Sequence, residues 1–160
     1  MPLILDTGPL YASLDRSDMH HLACRSLIET SEEALVIPAP VLVEVDLWIH
    51  QRLDASVLLA LLADIQTGAY AVENLAASDY TRVRQICERY AQAGVGFVDA
   101  AVLATVERLD EPKLATLDHQ HFGAMRPRHL DALTLLPDAS PGPAVPHAGW
   151  GRSTSAPATI

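Results

Sequence analysis

The chain has 160 residues, about half of them hydrophobic, enough to build one domain with a proper core and too apolar for a disordered chain. Its net charge of −9 excludes a protein that grips nucleic acid through a broad basic face, and its densest apolar run, Val57 to Ala63, is far too short for a membrane span. The start, Met1-Pro2-Leu3-Ile4-Leu5-Asp6, has no basic region and is not expected to be a secretory signal. Cys24 and Cys87 have no metal-type spacing and fit small buried hydrophobes in a reducing cytoplasm.

Leu3-Ile4-Leu5 predicts a buried strand running into a helix, with Asp6 or Thr7 as N-cap and Pro9 in the first turn. Asp18 to Thr30 has helical spacing, with Leu22, Leu27 and Ile28 on one side. Leu35–Ile37 predicts a second strand, after which Pro38 and Pro40 open an apolar helix from Val41 to Arg52. Asp54 starts another helix, rich in Leu, and Tyr70–Val72 predicts a third strand. Ser78 to Ala91 predicts a helix with Tyr80, Val83, Ile86, Cys87 and Tyr90 on one face. Gly94 and Gly96 break the chain; Gly94-Val95-Gly96 lacks the Lys-Ser/Thr of a phosphate-binding loop and reads as a turn. Phe97–Leu109 is a helix, Leu114–Leu117 a strand, and Leu133–Leu136 the last strand.

Short apolar strands alternating with helices imply an α/β layer architecture with a mainly parallel sheet. Asp138 to Ile160 turns to Pro, Ala, Gly and Ser with little to bury, so residues 1–137 form the expected domain and 138–160 a flexible tail.

The informative residues are acids beside apolar segments. Asp6 follows the first strand and Asp118 follows Leu114–Leu117; in a parallel sheet, ligands bind beyond the carboxyl ends of the strands. Glu44 shares a helical face with Pro40, Val41, Leu47 and Trp48, where an unpaired buried carboxylate is costly. Asp99 opens the apolar helix Phe97–Leu109. Taken singly, Asp6, Asp99 and Asp118 also suit N-caps, and Glu44 also suits a salt bridge to an Arg. Taken together, four acids converging on one crevice would repel, and a divalent cation with oxygen ligands, Mg²⁺ or Mn²⁺, would relieve this.

Leu5-Asp6-Thr7-Gly8-Pro9-Leu10, Pro40-Val41-Leu42-Val43-Glu44-Val45, Phe97-Val98-Asp99-Ala100-Ala101 and Ala115-Thr116-Leu117-Asp118-His119-Gln120-His121-Phe122, in that order, resemble the PIN-domain nucleases, and within them the VapC-type toxins of type II toxin–antitoxin systems. The resemblance covers roughly residues 1–137. It implies a PIN-like three-layer α/β/α sandwich with a mainly parallel central sheet. It also implies a cytoplasmic endoribonuclease dependent on Mg²⁺ or Mn²⁺ and yielding 5′-phosphate ends. Asp6, Glu44, Asp99 and Asp118 match the family's acidic quartet, as catalytic residues and metal ligands. Thr116 matches a hydroxyl position beside the last acid, and Thr7 is expected to orient the first. The implied partners are an RNA substrate, a cognate antitoxin and a second copy in a homodimer. One departure is Gln92, where related sequences often carry an acid; it lowers the expected metal affinity.

Competing readings are a stand-alone PIN nuclease, another Mg-dependent phosphohydrolase and a non-catalytic RNA- or protein-binding module. A phosphatase using Asp6 as nucleophile would usually carry a second Asp at position 8, which here is Gly8. His20-His21 and His119/His121 lack the Cys or Glu that would complete a zinc pattern, although His119 is a candidate RNA contact. Arg126-Pro127-Arg128 reads as a solvated basic loop or a phosphate contact. Val57–Leu62 is apolar around more than one helical stripe, so its excess face is expected either to be buried or to meet a protein partner.

Overall fold

The computed structural model describes residues 1–138, so the tail expectation for 139–160 lies outside the described residues. Five short strands alternate with seven α-helices: β1 (Leu3–Leu5), α1 (Thr7–Leu14), α2 (His21–Glu29), β2 (Leu35–Pro38), α3 (Ala39–Arg52), α4 (Ala55–Thr67), β3 (Ala71–Glu73), α5 (Ala77–Arg89), α6 (Phe97–Arg108), β4 (Lys113–Ala115), α7 (His119–Ala124) and β5 (Thr134–Leu136). The strands form one sheet in the order β3-β2-β1-β4-β5, and every pairing is parallel. The result is the three-layer α/β arrangement that the alternating pattern predicts.

Strand order reverses direction at β1 and β4. From β1 the chain builds outward through β2 to β3, then crosses back to β4 and on to β5. Such a switch point leaves a crevice at the carboxyl ends of the two central strands, because the connections leaving them diverge. Leu3, Ile4 and Leu5 of β1 are all essentially inaccessible, as expected for a strand covered on both faces. In α6 every residue from Ala100 to Val106 is buried; small Ala residues let this helix sit at the centre of the packing. The core face of α3 is Val41, Val45 and Ile49, spaced four apart.

Local chemistry sets the element ends. The Asp54 carboxylate accepts from the Ser56 N–H and opens α4, which closes at Gly68 in a left-handed conformation (φ 85°). Gly8, in the first turn of α1, is needed for another reason: a Cβ there would stand 3.1 Å from Leu117 Cβ, so α1 closes against the segment after β4 only without a side chain.

The structure alters three element expectations. In α2 the inward residues are Cys24 and Ile28, while Leu22 is 82% exposed; the helix has turned so that its i, i+4 pair rather than Leu22 faces the core. In α5, Val83 and Ile86 face inward and Tyr80 is exposed. The buried Asp79 beside it is held by Arg108, which puts an ion pair where the pattern suggests only apolar packing. Strand β4 stops at Ala115, so Thr116 and Leu117 lie between it and Asp118. Both cysteines are free thiols, with Cys24 buried. Gly94-Val95-Gly96 is a turn, as expected, with Gly94 in the left-handed region (φ 76°). Among the described residues no helix is long and apolar enough to cross a membrane.

Candidate active site

Asp6 leaves β1 at the switch point. Its N–H donates to the Ala115 carbonyl (2.9 Å), which continues the β1–β4 ladder and fixes where the carboxylate emerges. It stands at the N-cap of α1, but its side chain makes no capping bond. Instead Oδ2 accepts from the Thr116 hydroxyl at 2.8 Å. Asp6 is only 6% exposed, and burial pushes its carboxyl up to about 7; the bonds from Thr116 and the Thr7 N–H oppose this, while the negative charges of Asp99 and Glu44 add to it.

Thr116 is fully buried and joins two acids. Its hydroxyl donates to Asp6 and accepts the Asp118 N–H at 3.0 Å. Asp118 caps α7, with Oδ1 accepting from the His121 N–H at 2.9 Å, so the capping alternative holds for this residue. Its second oxygen stays on the crevice side, 2.7 Å from His121 Nδ1.

Asp99 is the third residue of α6. Gly96, not Asp99, is the N-cap, and Asp99 Oδ2 accepts the Gly96 N–H at 3.3 Å. Burial raises its carboxyl above the ordinary value against that bond; Asp118 and Glu44 raise it further and His121 lowers it. Glu44 and Asp118 act on Asp99 through their charge, and Asp99 in turn acts on Asp6, which links all four acids through Asp99.

Glu44 corrects the sequence expectation. Its face of α3 is not the core face: Val43 and Leu47 beside it are exposed, and Glu44, with Pro40 and Leu47, lines an open groove. Its Oε2 accepts from the Thr7 hydroxyl at 2.6 Å. No Lys, Arg or His pairs with it among the described residues, so the salt-bridge alternative has no partner. Thr7 therefore orients Glu44 by its hydroxyl, while its backbone N–H lowers the Asp6 carboxyl.

His121 was not singled out as part of this cluster by the sequence. Its Nδ1 lies 2.7 Å from Asp118 and 4.0 Å from Asp99, off-line for a hydrogen bond, so that a buried ring nitrogen is left with only a charge contact to the acids. The signal was its spacing: three residues after Asp118, one turn into a helix that Asp118 caps. The other residues considered lie elsewhere or are already engaged. His21 Nδ1 meets the Ala12 carbonyl, Arg126 donates to the Asp131 carbonyl, and Arg128 pairs with Gln85. Gln92 is exposed in a short 3₁₀ turn (Ala91–Ala93) and bonds to none of the four acids.

Four elements thus bring four carboxylates toward one crevice, with two threonine hydroxyls and, among the described residues, no Lys or Arg paired with them. Among the described residues no three His, Cys, Asp or Glu side chains are already drawn to ligand spacing about one point. The donor set is all oxygen and the like charges are strained against burial; both fit a hard divalent cation.

Fold and site together define an α/β protein with a carboxylate-lined crevice at the switch point of a parallel sheet. The PIN domain family model matches residues 3–126, and Ribonuclease VapC26 of Mycobacterium tuberculosis is 30% identical over 135 residues, which span 84% of this chain and all of that relative. The chain belongs to the PIN-domain family. Solved structures with this fold include the sarcin–ricin loop cleaving toxin VapC20 of M. tuberculosis (TM-score 0.65, 19% identity, 70% of this chain and 86% of that one). VapBC2 of Rickettsia felis, bound to a fragment of its promoter DNA, aligns with TM-score 0.61 at 16% identity over 84% of this chain and 98% of its own. FitAcB of Neisseria gonorrhoeae aligns with TM-score 0.58 at 16% identity, over 76% and 91%.

Proposed function

We propose that this chain is a metal-dependent endoribonuclease and the toxin component of a toxin–antitoxin pair. The observation that carries the reading is that Asp6, Glu44, Asp99 and Asp118 lie close enough to feel one another's charge: Asp99 and Glu44 act on Asp6, and Asp118 and Glu44 act on Asp99. The kinship with a VapC ribonuclease supports the substrate class.

Asp6, Glu44, Asp99 and Asp118 would hold one or two Mg²⁺ or Mn²⁺ ions. When bound, such a cation supplies Lewis-acid chemistry: water becomes a better nucleophile and negative charge on the phosphodiester is offset. The chain's own residues set the stage for this. The Thr116 hydroxyl holds the Asp6 carboxylate, and the Thr7 hydroxyl turns Glu44 toward the same crevice. The Gly96 and His121 N–H groups fix Asp99 and Asp118, each leaving carboxylate capacity free for a ligand. Burial around Asp6 keeps bulk water from screening the charge placed there.

A protein partner suits the outer side of α4. Leu61 faces the core, whereas Leu59 and Leu62 are exposed at 66% and 47%, so the excess apolar stripe is uncovered. This face is the proposed seat of an antitoxin segment or of a second copy in a homodimer. The site assignment is tested with Asp6→Asn, which keeps size and the Thr116 contact but removes a charge. RNA cleavage in Mg²⁺ should be lost while circular dichroism is unchanged; undiminished cleavage would sink the assignment.

A further inference from the structure

His121 is held more firmly than an ordinary surface side chain. Asp118 Oδ1 accepts its N–H at 2.9 Å, which fixes the residue one turn into α7. Its neighbour Phe122 is buried and anchors α7 in the core. The ring is thereby set against the crevice: Nδ1 is buried, 2.7 Å from Asp118 Oδ2 and 4.0 Å from Asp99 Oδ2.

That nitrogen is close to two carboxylates yet hydrogen-bonded to neither. A ring N–H drawn to Asp118 by charge alone would point along the line between them, and this one does not. Two donors that share an ion have the observed relation. Adjacent ligands of an octahedral cation at about 2.1 Å stand about 3 Å apart and opposed ligands about 4.2 Å, and each of an adjacent pair aims about 45° away from the line joining them. The separations from His121 to Asp118 and to Asp99 lie near these two values in turn. Among the described residues no three such side chains are yet gathered about one point, so ligation requires side-chain rotation. Asp99 Oδ2 is held only by the 3.3 Å bond from the Gly96 N–H, which leaves it free to turn. With Nε2 carrying the proton, Nδ1 presents a lone pair to the space the carboxylates face.

A nitrogen among oxygen donors changes which ion a centre prefers. Mg²⁺ takes oxygen ligands and gains little from imidazole, whereas first-row transition cations accept both. We propose that His121 is a further ligand of the divalent cation, joining Asp118 and Asp99 through Nδ1, and that this nitrogen makes the centre select Mn²⁺ over Mg²⁺. The inference rests on the reading of the four acids as a metal site.

The probes are Mn²⁺ and Mg²⁺ alone, added to the full-length protein without RNA. Electron spin-echo envelope modulation of the Mn²⁺-loaded wild type should show coupling to a directly ligated ¹⁴N, and ¹⁵N labelling of histidine should remove it. This arm reads the ligation without any substitution. The coupling should persist in His119→Asn and vanish in His121→Asn, with the circular dichroism of both unchanged. In calorimetric titrations His121→Asn should lose about tenfold or more in Mn²⁺ affinity and much less in Mg²⁺ affinity, and His121→Gln should behave alike. Mn²⁺ bound without histidine nitrogen coupling overturns the ligation, and so does coupling that survives in His121→Asn. Coupling with equal losses for the two ions overturns the selectivity alone. If neither ion binds the wild type saturably, this inference and the metal-site reading fail together.

Discussion

Thr116 has a buried hydroxyl with no freedom: one proton goes to Asp6, and one lone pair takes the Asp118 N–H. Thr116→Val is nearly isosteric but leaves the half-buried Asp118 N–H unpaired and the buried Asp6 carboxylate without its donor. It should destabilise the fold by about 1–3 kcal/mol and lower RNA cleavage; urea denaturation and a cleavage assay measure the two. Asp6 itself gives a pH prediction. Its folded value, about 7, lies above the ordinary 3.8, so the protonated acid favours the fold. That contribution is fully present below pH 3.8 and is lost as pH rises through 7. In EDTA the wild type should lose stability between pH 5 and pH 8, and Asp6→Asn should flatten the slope. An identical slope in both proteins would mean that Asp6 is not the group responsible.

At the scale of elements, two glycines separate packing from backbone conformation. Gly8 carries α1 against Leu117, between Thr116 and Asp118, and a methyl there would press on Leu117 at 3.1 Å. Gly8→Ala should shift the 116–118 segment and reduce cleavage more than it reduces stability. Gly68 ends α4 at φ 85° in open space, so Gly68→Ala meets no atom and only the left-handed conformation resists it. It should cost about 1 kcal/mol with cleavage unchanged. The α-helical periods of the sequence located α2, α3 and α5, yet phase was harder to read than period. Leu22 and Tyr80 were expected inside and stand outside, because a helix flanked by two layers buries whichever stripe its neighbours reach. The face of Glu44 was misread for the same reason: Leu47 and Val43 look like core residues in sequence but border an open groove.

For the molecule as a whole, the fold holds near one another four acids that the unfolded chain can disperse. A cation that binds only the folded state adds RT ln(1 + [L]/Kd), about 2.7 kcal/mol at a hundredfold excess over Kd. Mn²⁺ should therefore raise the melting temperature by several degrees, a size typical of such a gain in a domain of this length. Asp99→Asn keeps an acceptor for the Gly96 N–H while removing the central charge. It should melt above the wild type in EDTA and respond less to Mn²⁺, with Glu44→Gln acting in the same direction; differential scanning calorimetry with and without Mn²⁺ reads both signs. Melting below wild type in EDTA with a full Mn²⁺ response would make these acids structural.

What the sequence by itself determined was the parallel α/β class and most of its elements, though not α7, and it singled out the four acids as candidates. Strands as short as Leu3–Leu5 announce themselves by continuous apolar runs, and an acid set against such a run is conspicuous because burial makes it costly. Only the tertiary structure decided how the acids are held and by whom. Thr116 and Asp6 are 110 residues apart, Thr7 and Glu44 are 37 apart, and no local pattern records a hydroxyl that bridges two strands at a switch point. It also decided which buried acid belongs to the crevice and which does not. Asp79 is as hidden as Asp6, but Arg108 reaches it across the α5–α6 packing and neutralises it, whereas among the described residues the charges acting on Asp6 are those of other carboxylates. Charge compensation depends on distances between side chains that are remote in sequence, so it emerges only once the layers are packed.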